Sequence, residues 1–252
     1  MRTLAIGDIH GCYDALIALT GAIALRPSDR IVSLGDYIDR GPDSRRVIDW
    51  LIDYSEANPG RLFALRGNHE LMLEGARLGG KPFGCWLAAG GIETLRSYGL
   101  EMSPTELLQV PHDQILAAIP DRHWKFIERE LLPFHEIDTH FFVHANAHPE
   151  RELDAQSPFM LYWELFGEAR PHRSGKVMVC GHSVQASGLP SHVGHSVCID
   201  TGACRGRWLT CLEVETGVYW QANQAGETRS GRLDASSAAG SGSGIGDGEE
   251  RG

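Results

Sequence analysis

The chain has 252 residues, 42% hydrophobic and 22% charged, with a formal net charge of −10. That length favours one large domain with a substantial core, and the composition is that of a soluble globular protein. The acidic balance argues against a general nucleic-acid binder, which needs a basic face to neutralise phosphates.

No apolar run approaches the roughly 20 residues of a membrane span. The N-terminus, MRTLAIGDIH, enters a polar motif at once and leaves no room for a signal peptide. Six cysteines show no CxxC pairing. Cys180, Cys198 and Cys211 lie in β-like apolar runs, which suits buried reduced thiols. A cytoplasmic protein with neither membrane nor nucleic acid as partner is expected.

From the start of the chain to residue 70, strand, polar loop and helix alternate. TLAI leads into GDIHG and then an apolar-periodic helix from about Tyr13 to Leu25. RIVSL leads into GDYIDRG and a helix beginning near Ser44 that carries Val47, Ile48, Leu51 and Ile52. LFAL leads into RGNHE and a third helix with Leu71, Met72 and Leu73. Such alternation predicts βαβ units, a largely parallel sheet and an α/β fold.

The middle differs. A glycine-rich stretch, Gly79 to Gly91, precedes short helical segments broken by Pro104, Pro111 and Pro120, and a helical cap over about 75–132 is expected beside the site. From His140 onward strands return: HFFVHA, KVMVCGH, HSVCIDTG, WLTCLEV and GVYWQA, the last two forming a hairpin through Glu215, Thr216 and Gly217. A single folded domain is expected over 1–227. Residues 228–252 lack apolar periodicity and are expected to be a disordered tail.

Five polar motifs follow apolar runs: GDIHG, GDYIDRG, RGNHE, VHAN and GHS. Strand ends that converge on one sheet edge are where α/β folds place ligands. Asp8 and His10 stand two apart, so an extended segment presents both to one side. Asp36 follows its strand as Asp8 does, and each of its oxygens can serve a different ion. Asn68 offers a neutral oxygen; Asp, His and Asn are donors for hard and borderline divalent metals.

Arg40 suits bidentate capture of a phosphate group. His69 can protonate a leaving alkoxide, with Asp39 the natural carboxylate to orient it. Arg66 and Glu70 are expected to support the loop. His144 and His182 each end an apolar run behind three other motifs, which favours ligation over a structural role. His112, His123, His135, His140, His148, His172, His192 and His195 are expected on the surface or in local hydrogen bonds.

The order GDIHG, GDYIDRG, RGNHE, His, GH resembles the phosphoprotein phosphatase family of the calcineurin-like metallophosphoesterases, in particular its bacterial and bacteriophage branch. The likeness spans about residues 1–227 and extends to WLAAGGIETLRSYG and CIDTGACRGRWLTCLEV. It implies a β-sandwich flanked by helices with a dinuclear metal site at the strand ends. Asp8, His10 and Asp36 would hold one metal; Asp36, Asn68, His144 and His182 the other. Arg40, Asn68 and His69 would contact phosphate, Asp39 would pair with His69, and a metal-bridging hydroxide would attack phosphorus. Two divalent ions follow, manganese first and iron, zinc or nickel as alternatives.

The sequence departs from the family at one point: Glu164 and Leu165 follow Trp163, where relatives commonly carry a phosphate-binding arginine. Arg170 is taken as its substitute, with Arg173 second. The expected activity is serine/threonine, and also tyrosine, protein phosphatase on a phosphoprotein or phosphopeptide. The alternatives are a symmetric dinucleoside-tetraphosphate hydrolase, for which few extra basic residues are present, and a catalytically silent phosphoprotein-binding module.

Overall fold

A computed structural model describes residues 1–167 and 170–233. The first half runs β1 (Thr3–Ile6), α1 (Tyr13–Ile23), β2 (Arg30–Ser33), α2 (Ser44–Ala57), β3 (Leu62–Ala64) and α3 (Asn68–Ala76). The cap region follows as α4 (Gly80–Trp86), a kinked segment over Leu87–Gly91, α5 (Ile92–Ser97), α6 (Pro104–Leu107), α7 (His112–Leu116) and α8 (Asp121–Lys125). Next come β4 (His135–Glu136), β5 (His140–Phe142), α9 (Pro158–Tyr162), β6 (Val177–Cys180), β7 (Ser191–His192), β8 (Ser196–Cys198), β9 (Leu209–Glu213), β10 (Val218–Ala222) and β11 (Thr228–Arg232).

Two mixed sheets result, a six-stranded one ordered β11-β10-β9-β1-β2-β3 and a five-stranded one ordered β4-β5-β6-β8-β7. Their centres are parallel: β1, β2 and β3 in the first, β5, β6 and β8 in the second. The turn before Gly217 joins β9 to β10 as an antiparallel hairpin, Val218 facing Glu213.

Alternation along each strand explains why two sheets form. Leu4, Ile6 and Ile31 join the core beneath α1, α2 and the cap, while Ala5 and Val32 point the other way. The latter meet Phe142, Val179 and Val197 from the second sheet, which closes the sandwich. Phe141, Met178 and Cys180 occupy the outer face of that sheet, packed against Leu161 and Tyr162 of α9. Each central strand is therefore apolar on both faces, which gives the near-continuous runs in the sequence.

One boundary is corrected. Residues 228–232 form β11, paired antiparallel to β10 in the register Val218↔Arg232 to Ala222↔Thr228. Its sequence, TRSGR, is largely exposed; backbone hydrogen bonds hold it at the sheet edge, and these leave no apolar period to read. Residues 234–252, the rest of the expected tail, lie outside the described residues. No helix among the described residues is long and apolar enough to cross a membrane.

The core predicts its own cost of damage. Leu4 is fully buried in β1, and Leu4→Ala is expected to lower stability by about 2–5 kcal/mol. Urea denaturation measures it; an unchanged midpoint would contradict the packing described.

Candidate metal and catalytic centre

Parallel strands end on one side, and the loops leaving β1, β2, β3, β5 and β6 bring their polar residues together there. The backbone at this edge is unusual. His10, Asp36, Asp39, Arg40 and His182 all have positive φ (46°, 54°, 72°, 69° and 62°) although none is glycine. Ala24 alone among the other described non-glycine residues shares this conformation. Such backbone is costly and persists where surrounding contacts enforce it.

Glu70 is one source of enforcement. Its buried carboxylate accepts the N–H groups of Asp36 (3.0 Å), Tyr37 (2.8 Å) and Gly67 (2.9 Å). Burial, with Asp36 adding to it, pushes the Glu70 carboxyl up to about 7. Arg66 donates to the carbonyls of Ile127 and Glu128 and to Glu74, tying the loop to the cap. Both residues are structural, as expected from the sequence. At Gly67 a Cβ would strike the Asp36 carboxylate, and at Gly181 the Asp8 carboxylate, so these loops reach the ligands only as glycine.

Asp36 lies at the centre. Its Oδ2 is 3.3 Å from His10 Nε2 and its Oδ1 3.4 Å from His144 Nε2, while Oδ1 also accepts the His69 N–H at 3.1 Å. Asn68 Oδ1 lies 2.9 Å from His144 Nε2 and 3.0 Å from His182 Nδ1. Asp8 accepts the His182 N–H at 3.0 Å. Asp8, His10, Asp36, Asn68 and His144 are buried and His182 is half-buried. Among the described residues two metal-sized groups emerge, His10–Asp36–His69 and Asp36–His144–His182, sharing Asp36.

The donor set fits divalent ions on chemical grounds. His10 Nδ1 hydrogen bonds the Ile38 carbonyl and His144 Nδ1 the Leu34 carbonyl, both at 2.8 Å. A carbonyl only accepts, so both rings carry their proton on Nδ1 and aim the Nε2 lone pair inward. The His144 lone pair thus faces Asn68 Oδ1 and Asp36 Oδ1, with no proton available between them. A cation resolves that juxtaposition. The Arg40 guanidinium, 2.8 Å from His10 Nε2, stands in for one.

Electrostatics agree. Burial, reinforced by Asp200 and Asp36, holds the Asp8 carboxyl well above the usual range. Burial also pushes His10 down to about 3 and His182 to about 4. At Asp36 burial acts upward but His144, His69 and His10 overcome it, so this carboxyl falls below its ordinary range. A bound cation favours the charged carboxylates and neutral imidazoles that ligation requires.

His69 and Asp39 form the second part. His69 Nδ1 lies 2.7 Å from Asp39 Oδ2, and the buried Nε2 has no hydrogen-bond partner among the described residues. Burial alone would lower the His69 pKa; Asp36 and Asp39 outweigh it and raise it. The exposed Arg40 sits at the rim. Arg170 is not brought to this cluster: it is an exposed side chain whose guanidinium pairs with Glu150 at 3.1 Å. Arg173 similarly pairs with Glu152. The spacing after Trp163 could not foresee these local carboxylates.

His123, expected at the surface or in a local contact, is buried between Tyr98 (2.7 Å) and Asp49 (2.9 Å), joining the cap to α2. Three site residues carried no assignment in the sequence. Trp86 and Thr94 touch Asp39, and Asp200 is buried, adds to the upward shift of Asp8 and is itself pushed up to about 6 by its burial. Asp200 ends an apolar run just as the ligands do, and that signal was readable.

A sandwich with strand-end Asp, His and Asn around a shared carboxylate defines a metal-dependent phosphoester hydrolase. The calcineurin-like phosphoesterase family matches residues 1–200, and the chain belongs to that family. Solved structures share the fold. A candidate diadenosine tetraphosphatase is 20% identical over 92% of this chain and 93% of its own, with a TM-score of 0.57. The cold-active protein-tyrosine phosphatase of a psychrophilic Shewanella species is 17% identical over 91% and 80%, TM-score 0.61. A protein serine/threonine phosphatase from Saccharomyces cerevisiae is 16% identical over 92% and 80%, TM-score 0.54.

Glu70→Ala strands three buried N–H donors, each costing about 1–3 kcal/mol. A stability loss of about 3 kcal/mol or more in urea is expected, although Glu70 touches no substrate; a loss below about 1 kcal/mol would show that other contacts hold the Asp36 backbone.

Proposed function

We propose that this hydrolase is a phosphoprotein phosphatase acting on phosphoserine and phosphothreonine, and on phosphotyrosine as well. The observation that carries the reading is the His69–Asp39 pair: a buried imidazole held on one side by a carboxylate, with its other nitrogen free beside the ligand cluster. A phosphomonoester needs such a group, because its leaving alkoxide must be protonated as it departs. Arg40 at the rim supplies a planar donor pair for phosphate oxygens.

Asp8, His10 and Asp36 would hold one divalent ion, and Asp36, Asn68, His144 and His182 the second. Bound there, the ions supply Lewis-acid polarisation of the ester and a nucleophilic water at neutral pH. The protein's own part is to clamp the phosphate with Arg40 and Asn68, and to deliver a proton from His69 Nε2 to the leaving oxygen. Asp39 fixes the ring for that transfer. The oxygen and imidazole donor set, free of thiolate, admits manganese, iron, zinc and nickel alike, and manganese is taken first on the resemblance to the bacterial branch of the family. All six cysteines are free thiols, which supports a reducing, cytoplasmic setting.

A symmetric dinucleoside-tetraphosphate hydrolase is the second reading, favoured by the fold shared over nearly the whole of both chains with the candidate diadenosine tetraphosphatase. A long polyphosphate calls for several available cations. Arg77, Arg96, Arg170 and Arg173 are each paired with a carboxylate, Glu128, Glu93, Glu150 and Glu152, so the monoester reading leads.

Metal-stripped protein, with and without manganese, should be assayed on p-nitrophenyl phosphate, a phosphoserine peptide and diadenosine tetraphosphate. Manganese-dependent turnover of the first two is expected, with His69→Asn losing about 10²–10⁴-fold on the peptide. Preference for the dinucleotide would move the chain to the second reading. No turnover with any metal would favour a silent phosphoprotein-binding module.

A further inference from the structure

One stretch of the cap reaches into the catalytic centre at three points. Trp86, fully buried at the end of α4, places Nε1 3.1 Å from both oxygens of Asp39. Thr94, buried in α5, donates its hydroxyl to Asp39 Oδ1 at 2.6 Å and accepts the Asp39 N–H at 2.8 Å. Between them lies the kinked segment Leu87–Gly91, in which the Gly90 carbonyl accepts the Arg40 N–H at 3.1 Å. Gly90 has φ 121°, and a Cβ there would lie 2.7 Å from Arg40 N. The non-helical backbone at Gly90 kinks the chain between α4 and α5, and across that kink Trp86 and Thr94 converge on one carboxylate.

The consequence is directional. Asp39 Oδ2 faces His69 Nδ1, Thr94 takes Oδ1, and Trp86 spans both. With donors on each side the carboxylate plane is fixed, and the His69 ring plane follows from it. Free rotation of Asp39 would let Nε2 swing away from the leaving oxygen, and a misplacement of about 1 Å can cost 10²-fold in such a transfer.

We propose that Trp86 and Thr94 are positioning residues for proton delivery, acting through Asp39 on His69. The inference rests on the reading of His69 as the general acid. It distinguishes itself from mere core packing by leaving-group dependence. A proton donor matters in proportion to the basicity of the departing oxygen, so misaligning it slows loss of phenolate far more than loss of p-nitrophenolate. A packing defect slows both alike.

The test uses the manganese-loaded full chain with phenyl phosphate and p-nitrophenyl phosphate, which differ little except in leaving group. Thr94→Val and Trp86→Phe are expected to lower kcat/KM about tenfold or more on phenyl phosphate and under about threefold on p-nitrophenyl phosphate. Thr94→Ser, which keeps the hydroxyl, restores most of the phenyl phosphate rate. In an Asp39→Asn background Thr94→Val adds nothing, because the residue through which it acts is already disabled. Equal losses on the two substrates, no loss, or additive losses with Asp39→Asn would each overturn the proposal. Should Trp86→Phe not fold, the Thr94 series carries the test alone. If His69→Asn itself lacks leaving-group dependence, the general-acid reading fails instead, and the two failures are told apart.

Discussion

The buried carboxylate of Asp36 is the constraint on which the site depends. One oxygen faces His10, the other faces His144 and accepts the His69 backbone N–H. A carboxylate this deeply buried is costly unless opposite charge or hydrogen bonds surround it. Its neighbours meet that cost from three different loops, and the loops must therefore end in register. The parallel alignment of β1, β2 and β3 puts their C-terminal ends side by side, and the second sheet presents the ends of β5 and β6 from across the sandwich.

Holding Asp36 also requires a backbone that ordinary sequences avoid. Its φ of 54° is stabilised by Glu70, whose three accepted N–H groups span both the Asp36 and the Gly67 loops. The same logic extends to Asp39 and Arg40, where Thr94 and the Gly90 carbonyl from the cap take over. The cap is thus more than a wall beside the site, since it completes the support of Asp39 and Arg40 in the same loop as Asp36. Strain at the ligands and enforcement from buried polar groups arise together, as preorganised sites demand.

Much of this was legible in the sequence because polar residues at strand ends announce themselves. Asp8, Asp36, His144 and His182 each terminate an apolar run, so the strand reading and the choice of these residues rest on the same signal. His69 and its partner Asp39 were readable from their place in two adjacent motifs. Trp86 and Thr94 were not, since a buried tryptophan and a helical threonine look like core until Asp39 is placed between them. The strand Thr228–Arg232 escaped for another reason: an edge strand held by backbone bonds needs no apolar alternation. Arg170 pairs with a surface carboxylate, Glu150, at a distance in sequence that spacing cannot weigh.

The central claim is that one carboxylate serves two ions, and titration calorimetry of metal-stripped protein with manganese tests it most directly. The account predicts two ions per chain for the wild type. In Asp36→Asn it predicts that both sites weaken together by about 10–100-fold or more, since even outer-sphere changes at metal sites have effects of that size. A single ion per chain, or an Asp36→Asn protein that still binds one ion with undiminished affinity, would contradict it.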